Sequence, residues 1–167
     1  MKRLVLLLVF STLAAGRAVA DDPPSIEHQP VPCTIPDKPM SLCASVADDA
    51  MVAKARVYFR PAGEKYFGYV DMAFGGLSWC ATLPAPRQGK LRTIEYYLQA
   101  IDDAYQAQRT STFQMSVESE ATCGFPPLEK DPEKAGAIRV YGTHPKQGRK
   151  LFGEFDATGV TFVPIGN

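Results

Sequence analysis

The sequence predicts an all-β fold, an antiparallel β-sandwich preceded by an extended entry segment. Six successive runs alternate apolar and polar residues with a period of two, and Pro, Gly or Asp residues separate them. The turn signals recur roughly every 8 to 12 residues, which is typical of short strands joined by tight connections. Because alternate side chains of a strand point to opposite faces, each run has one buried and one solvated face, as in antiparallel sheets.

The second run shows the pattern clearly, since Ala55, Val57 and Phe59 alternate with polar or aromatic neighbours. Segment 21–39 precedes the runs and holds six prolines, which forbid a helix and allow an entry strand at most. In chain order the runs occupy residues 41–46, 54–60, 70–72, 78–83, 94–100 and 113–117.

The run at 94–100 is ambiguous, because its apolar residues also fit the spacing of a helix face. Leu91, Ile94 and Leu98 recur at intervals of three or four, so a helix over 94–105 is the alternative. Tyr96 and Tyr97 favour a strand, since aromatic residues suit a pleated surface.

The first 20 residues have the pattern of a secretory signal peptide. Lys2 and Arg3 precede an apolar run at 4–10, and an Ala-Val-Ala cleavage site comes directly before Asp21. The apolar run is too short for a bilayer span, which needs about 20 residues. We therefore expect a periplasmic or secreted protein with no membrane span after signal cleavage.

The charge of the expected mature chain argues against nucleic acid as a partner. Loss of Lys2, Arg3 and Arg17 leaves 15 basic side chains against 18 acidic ones. Phosphate backbones reward clustered positive charge, so a chain with a net charge near −3 is poorly suited to them.

The chain divides into a signal peptide at 1–20, a sandwich at 21–120, a tether at 121–134 and a C-terminal appendage at 135–167. The tether is predicted from its density of proline and charge. The appendage holds three further strand-like runs, at 138–141, 152–155 and 160–163. Such a small hairpin or meander is not stable alone, so we expect it to dock on the sandwich.

Six motifs resemble the immunoglobulin-like, fibronectin type III-like modules of bacterial extracytoplasmic proteins. The resemblance covers residues 28–118 and implies an immunoglobulin-like sandwich, but it implies no activity, because that fold hosts many unrelated functions. The motifs are His-x-Pro at 28–30, Leu-x-Ala-x-Val-x-Asp at 42–48, Ala-Arg-Val-Tyr-Phe-Arg at 55–60, Val-x-Met at 70–72, Ala-Thr-Leu-Pro at 81–84 and Ile-Glu-Tyr-Tyr-Leu-x-Ala-x-Asp at 94–102.

Four cysteines in an exported chain predict two disulfides, for which three pairings are open. Cys43 and Cys80 are out of phase with the buried residues of their runs, and an immunoglobulin-like order makes those strands neighbours. Cys33 precedes the first clear strand and Cys123 follows the last, and such sandwiches place these strands side by side. The resemblance therefore favours Cys43 with Cys80 and Cys33 with Cys123.

Two acidic pairs end strands and form a weak candidate for a calcium site. Asp48 and Asp49 follow the first run, and Asp102 and Asp103 follow the fifth. In the inferred topology both turns fall at one end of the sandwich, and Ca²⁺ takes oxygen ligands. Asp is also a common turn former that accepts hydrogen bonds from its own backbone, and we favour this structural role, with no metal or other cofactor.

An outward aromatic face is the candidate binding surface. Tyr58, Tyr69 and Tyr97 share the outward phase, and Arg56 and Arg60 lie beside them. Aromatic and arginine side chains anchor protein partners or sugar rings. The competing expectation, which we prefer, is that the C-terminal Phe152, Phe155 and Phe162 cover this face.

The chain carries no Gly-x-Ser-x-Gly or His-Glu-x-x-His motif, and we predict that it is not an enzyme. The expected function is that of a secreted or periplasmic binding or structural module that engages an envelope protein partner. The alternative is a module that binds a small ligand, either a carbohydrate or Ca²⁺. The oligomeric state does not follow from the sequence.

Overall fold

The computed structural model describes residues 21–124, 137–142, 151 and 153–165. The predicted signal peptide and residues 125–134 of the predicted tether lie outside the described residues. The described residues carry twelve strands: β1 Ser25–Glu27, β2 Cys33–Thr34, β3 Met40–Ala47, β4 Val52–Pro61, β5 Gly68–Asp71, β6 Ala73–Phe74, β7 Trp79–Leu83, β8 Thr93–Asp102, β9 Ala107–Arg109, β10 Phe113–Val117, β11 Ile138–Gly142 and β12 Val160–Pro164. The all-β prediction is confirmed, and the helix alternative at 94–105 is wrong because this segment begins with strand β8.

The strands form two sheets. The smaller sheet has the order β1-β3-β7-β6, and all of its pairs are antiparallel. The larger sheet has the order β12-β11-β5-β4-β8-β10-β2, with β9 paired to β8 beside this path. It is mixed, because β10 with β2 and β11 with β12 are parallel pairs. The expectation of purely antiparallel sheets is therefore wrong at these two pairs.

One apolar core fills the space between the sheets. The smaller sheet contributes Leu42 and Leu83, and the larger sheet contributes Val57, Phe59 and Leu98, all of them buried. Strand β8 alternates strictly between buried and half-exposed residues over its whole length. This period of two is what places the even-numbered residues of β8 in the core and the odd-numbered ones on the outer face.

Two disulfides join the pairs that the sequence analysis favours. Cys43 and Cys80 are directly opposite each other on β3 and β7, with Cα atoms 4.1 Å apart. Cys33 on β2 is bonded to Cys123, with Cα atoms 5.7 Å apart. The second bond closes a separation of 90 residues and ties the segment after β10 to the edge of the larger sheet.

The sequence analysis expected a hairpin or meander in the C-terminal segment, and this expectation is wrong. β11 adds antiparallel to β5, and β12 then pairs parallel to β11, so both strands widen the larger sheet. A parallel pair requires a crossover between its strands, and here the crossover brings Phe155 into the core. Period-two patterning identifies strands but does not say which neighbour each one pairs with, which is why this pairing was missed.

Phe155 closes one end of the core. Its ring is fully buried and meets Phe59 edge to face, with centroids 5.4 Å apart. Backbone hydrogen bonds hold the surrounding chain on both sides, from Arg87 N to Glu154 O at 2.8 Å and from Asp156 N to Ala85 O at 2.8 Å. The C-terminal segment is thus part of the core of the sandwich.

Candidate binding surface

Four tyrosines form a row across the outer face of the larger sheet, which we call the tyrosine strip. Tyr141, Tyr69, Tyr58 and Tyr97 come from the adjacent strands β11, β5, β4 and β8, and the strand register places each opposite the next. Ring centroids are 5.0 Å apart for Tyr141 and Tyr69, 5.0 Å for Tyr69 and Tyr58, and 4.7 Å for Tyr58 and Tyr97. All four side chains are half-buried.

Two pairs of rings in the tyrosine strip are stacked face to face. Tyr58 and Tyr97 are parallel to within 5°, and their separation of 4.7 Å equals the usual spacing of neighbouring strands. The ring faces of Tyr58 and Tyr97 are therefore turned towards each other along the sheet, and so are those of Tyr69 and Tyr141, which are parallel to within 17°. The Tyr58 hydroxyl donates a hydrogen bond to Gln99 Oε1 at 2.9 Å.

Guanidinium groups lie over two rings of the tyrosine strip and over the neighbouring Phe67. Arg56 lies over Tyr69 at 4.4 Å, and Arg109 lies over Tyr97 at 5.3 Å from the ring centroid. Arg60 lies over Phe67 at 4.1 Å, and Phe67 in turn meets Tyr97 edge to face. Cation–π contacts of this kind hold both the aromatic ring and the guanidinium in place.

Two carboxylates pair with arginines that lie beside the tyrosine strip. Arg56 Nε donates to Asp71 at 3.0 Å, and Arg60 Nε donates to Glu95 at 2.7 Å. Burial alone would lower the pKa of Arg56, but hydrogen bonds to Asp71 and Tyr58 outweigh it and raise that pKa. Burial raises the pKa of Tyr97, and the nearby Tyr58 acts in the same direction. Arg56 is therefore charged and the Tyr97 hydroxyl neutral at neutral pH.

The structure brings together all five residues predicted for this face and adds Tyr141, which sequence reasoning missed. Its signal was the alternation of Ile138 and Val140 with Arg139 and Tyr141, which places the latter two on the outer face. The expected cover by C-terminal phenylalanines is wrong for Phe155, which lies in the core, and Phe162 packs against that core. The side chain of Phe152 lies outside the described residues.

An acidic cluster lies at the end of the sandwich where β3 turns into β4. Carboxylate oxygens of Asp21, Asp48 and Asp49 are all within 4.8 Å of one another, a set that could hold a metal ion. Asp48 Oδ1 also accepts hydrogen bonds from the backbone N–H groups of Ala50 and Met51, which is the turn-forming role that the sequence analysis favoured.

The cluster differs from the predicted set of four carboxylates. Asp102 is buried and uses Oδ1 to accept the Gln106 N–H at 2.7 Å, and Asp103 is exposed outside the cluster. Asp21 takes their place because Gln106 Nε2 donates to both its carbonyl oxygen and its carboxylate. The sequence pattern places the two strand ends together but contains no sign that Asp21 joins them.

We expect Asp49→Asn to raise the melting temperature at about pH 7 but not at about pH 3. Partial desolvation and the negative charges of Asp21 and Asp48 raise the pKa of Asp49 in the folded protein. A raised folded-state pKa stabilises the fold below the unfolded pKa, and this contribution is lost as pH rises through the folded-state value. Thermal melts of the variant and the parent at both pH values measure the difference. Asp103→Asn is the control. An equal rise in its melting temperature at about pH 7 would show that the effect does not come from the acidic cluster.

His28 connects the two sheets through both ring nitrogens. Nδ1 donates to the Cys43 carbonyl at 2.8 Å, and Nε2 accepts from the Tyr96 hydroxyl at 3.0 Å. This tautomer follows from Tyr96, whose hydroxyl accepts the Val31 N–H at 2.9 Å and so has its own proton for His28. Both nitrogens of His28 are therefore used in holding the structure together.

Acidification should destabilise the protein through His28. Burial lowers its pKa, and the hydrogen bond to Cys43 only partly opposes this. Stability is therefore fully present above the unfolded value of 6.5 and declines as pH falls through the folded-state pKa. Melting temperatures at about pH 7.5 and about pH 5 should differ more for the parent than for His28→Gln, whose side chain does not titrate. An equal difference in both proteins would assign the effect to other groups.

No family model matches the chain, and no curated protein matches it. Among solved structures, it is similar to an engineered protein determined crystallographically by a structural genomics consortium, with a TM-score of 0.43 and 18% sequence identity. The match covers 59% of this chain and 21% of the engineered protein. The described residues contain no helix of the length and apolarity needed to cross a membrane.

Proposed function

We propose that this chain is a non-catalytic, exported binding module that engages an envelope protein through the tyrosine strip. The observation that carries the proposal is the row of four half-exposed tyrosines with arginines beside it. Tyrosine and arginine are enriched among the residues that dominate the energetics of protein interfaces. Their mutual stacking holds the side chains in place, so little side-chain entropy is lost when a partner binds.

The ring geometry favours a protein over a carbohydrate. A sugar ring stacks on an accessible aromatic face, but Tyr97 has Tyr58 parallel to it and Arg109 over it. Tyr69 has Tyr141 parallel to it and Arg56 over it. What these rings offer to solvent is an apolar edge with a hydroxyl group, which suits the mixed polar and apolar surface of a protein partner.

The strand order supports an immunoglobulin-like fold for the module. The order β1-β3-β7-β6 in one sheet and β5-β4-β8-β10 in the other corresponds to the strand sequence of the immunoglobulin sandwich. β11 and β12 extend the second sheet and bring Tyr141 to the end of the tyrosine strip. On this proposal the C-terminal segment enlarges the binding face.

The two disulfides are consistent with an oxidising compartment outside the cytosol. Together with the signal-peptide pattern at 1–20, they support a location in the periplasm or outside the cell. Envelope proteins are the partners available there, which is why the proposal names that class.

Photo-crosslinking in the source cell tests the proposal. A photoreactive phenylalanine analogue replaces Tyr97 in the full-length chain, and the matched control replaces the exposed Lys90, away from the strip. We expect one dominant protein adduct from position 97 and none of that adduct from position 90. Equal adducts at both positions, or no adduct at position 97, would contradict the proposal.

A further inference from the structure

Three loops lie at one end of the sandwich. Val52 lies opposite Asp102, so the β3–β4 and β8–β9 loops share that end. Ala44 lies opposite Trp79, so the β6–β7 turn extends beyond the same end of β3. Gln106 and Asp21 join this group through the hydrogen bonds that link the β8–β9 loop to the start of the described chain.

These loops and the adjoining end of β6 expose large apolar side chains, which we call the apical tip. Leu77 is 95% exposed, Tyr105 89%, Phe74 59% and Met51 56%. Only six large hydrophobic residues of the described chain are exposed in this way, and four of them lie here. A soluble protein rarely groups such residues at one place unless they contact something else.

The loops that carry the apical tip are held in defined conformations. Tyr105 has a left-handed backbone with φ of 66°, which costs free energy for a residue other than glycine. The buried Asp102 carboxylate stabilises this turn by accepting a hydrogen bond from the Gln106 N–H. In the β6–β7 turn, Gly75 N donates to Ser78 O at 2.9 Å, and Gly76 takes a φ of 92°. The exposed side chains are therefore displayed from preformed turns.

Carboxylates lie beside two of the three loops of the apical tip. Asp21, Asp48 and Asp49 form the acidic cluster, and the exposed Asp103 lies two residues before Tyr105. Within the described part of the chain none of these four takes part in an ion pair. The tip thus combines exposed apolar groups with four carboxylates, which outnumber the one amino group that cleavage before Asp21 would leave there. Its complement is an apolar pocket bordered by positive charge.

We propose that the apical tip is a second interaction surface, which binds a protein that presents an apolar pocket flanked by arginine or lysine. The proposal does not depend on the tyrosine strip, which lies on the outer face of the larger sheet. An anionic membrane is a poorer occupant, because its surface potential repels the four carboxylates. With two surfaces the module would bridge two proteins.

The test uses the mature chain and three synthetic peptides: one that alternates arginine with leucine, one with glutamine for every arginine, and one with serine for every leucine. Titration should give the arginine–leucine peptide at least about tenfold tighter binding than either of the others. Leu77→Ser with Tyr105→Ser should weaken that binding about tenfold or more. Ile165→Ser, which removes an exposed apolar group outside the tip, should leave it unchanged.

Four outcomes would overturn the proposal. The first is equal binding of the arginine and glutamine peptides, and the second is no effect of the Leu77 and Tyr105 substitutions. The third is binding to phosphatidylglycerol vesicles that these substitutions abolish, which would make a membrane the occupant. The fourth is self-association in sedimentation equilibrium that they abolish, which would make a second copy the occupant.

Discussion

Phe155→Ala should lower the free energy of unfolding by about 3 to 5 kcal/mol, the range found when a buried phenylalanine is truncated. The Phe155 ring is fully buried, and its removal leaves a cavity beside Phe59. The backbone on either side is fixed by hydrogen bonds to residues 85 and 87, so the cavity cannot easily collapse. Chemical denaturation of a purified chain that begins at Asp21 measures the change.

The matched control is Phe74→Ala, which removes the same ring from an exposed position. Phe74 is 59% exposed and touches Trp79, so its loss should cost less than about 1 kcal/mol. If the two variants lose similar stability, Phe155 does not close the core and the account of the C-terminal segment is wrong.

Loss of the disulfide between Cys33 and Cys123 should cost about 4.6 kcal/mol on the chain-entropy model, because the bond spans 90 residues. Replacing both cysteines by serine removes this constraint from the unfolded chain without leaving a free thiol. The same model gives about 3.8 kcal/mol for Cys43 and Cys80, which are 37 residues apart. Denaturant unfolding should therefore show a larger loss in free energy of unfolding for the variant without the Cys33–Cys123 bond than for the variant without the Cys43–Cys80 bond.

Non-reducing peptide mapping is the control for this comparison. It should recover Cys33 linked to Cys123 and Cys43 linked to Cys80 in the parent, and the remaining bond in each double variant. A link between Cys33 and Cys43 would contradict both the strand order and the expected ranking.

The strands and the cysteine pairing were the most predictable parts of the structure. Period two placed Val57, Phe59 and Leu98 on one face and Tyr58 and Tyr97 on the other, and the apolar character of the first set assigned it to the core. The outward phase of Cys43 and Cys80 then limited which strands their bond could join.

The parts that were missed depend on contacts between distant segments. Nothing local to Phe155 distinguishes a residue that covers an outer face from one that closes the core, since either position buries the ring. Asp21 joined the acidic cluster through Gln106, a contact between residues 85 positions apart. Tyr141 joined the tyrosine strip only because β11 pairs with β5, and a strand pattern does not specify its partner.

The central claim is that the tyrosine strip binds a protein, and the affinity of the mature chain for the protein cross-linked at position 97 tests it most directly. Tyr58→Ser removes the ring between Tyr69 and Tyr97, and Ile165→Ser removes an exposed apolar side chain outside the strip. Circular dichroism and a melting curve confirm that both variants are folded at the temperature of the titration. We predict that Tyr58→Ser weakens binding about 30-fold or more, as expected for a central interface residue, while Ile165→Ser leaves it within about twofold. Equal affinity of Tyr58→Ser and the parent would contradict the claim.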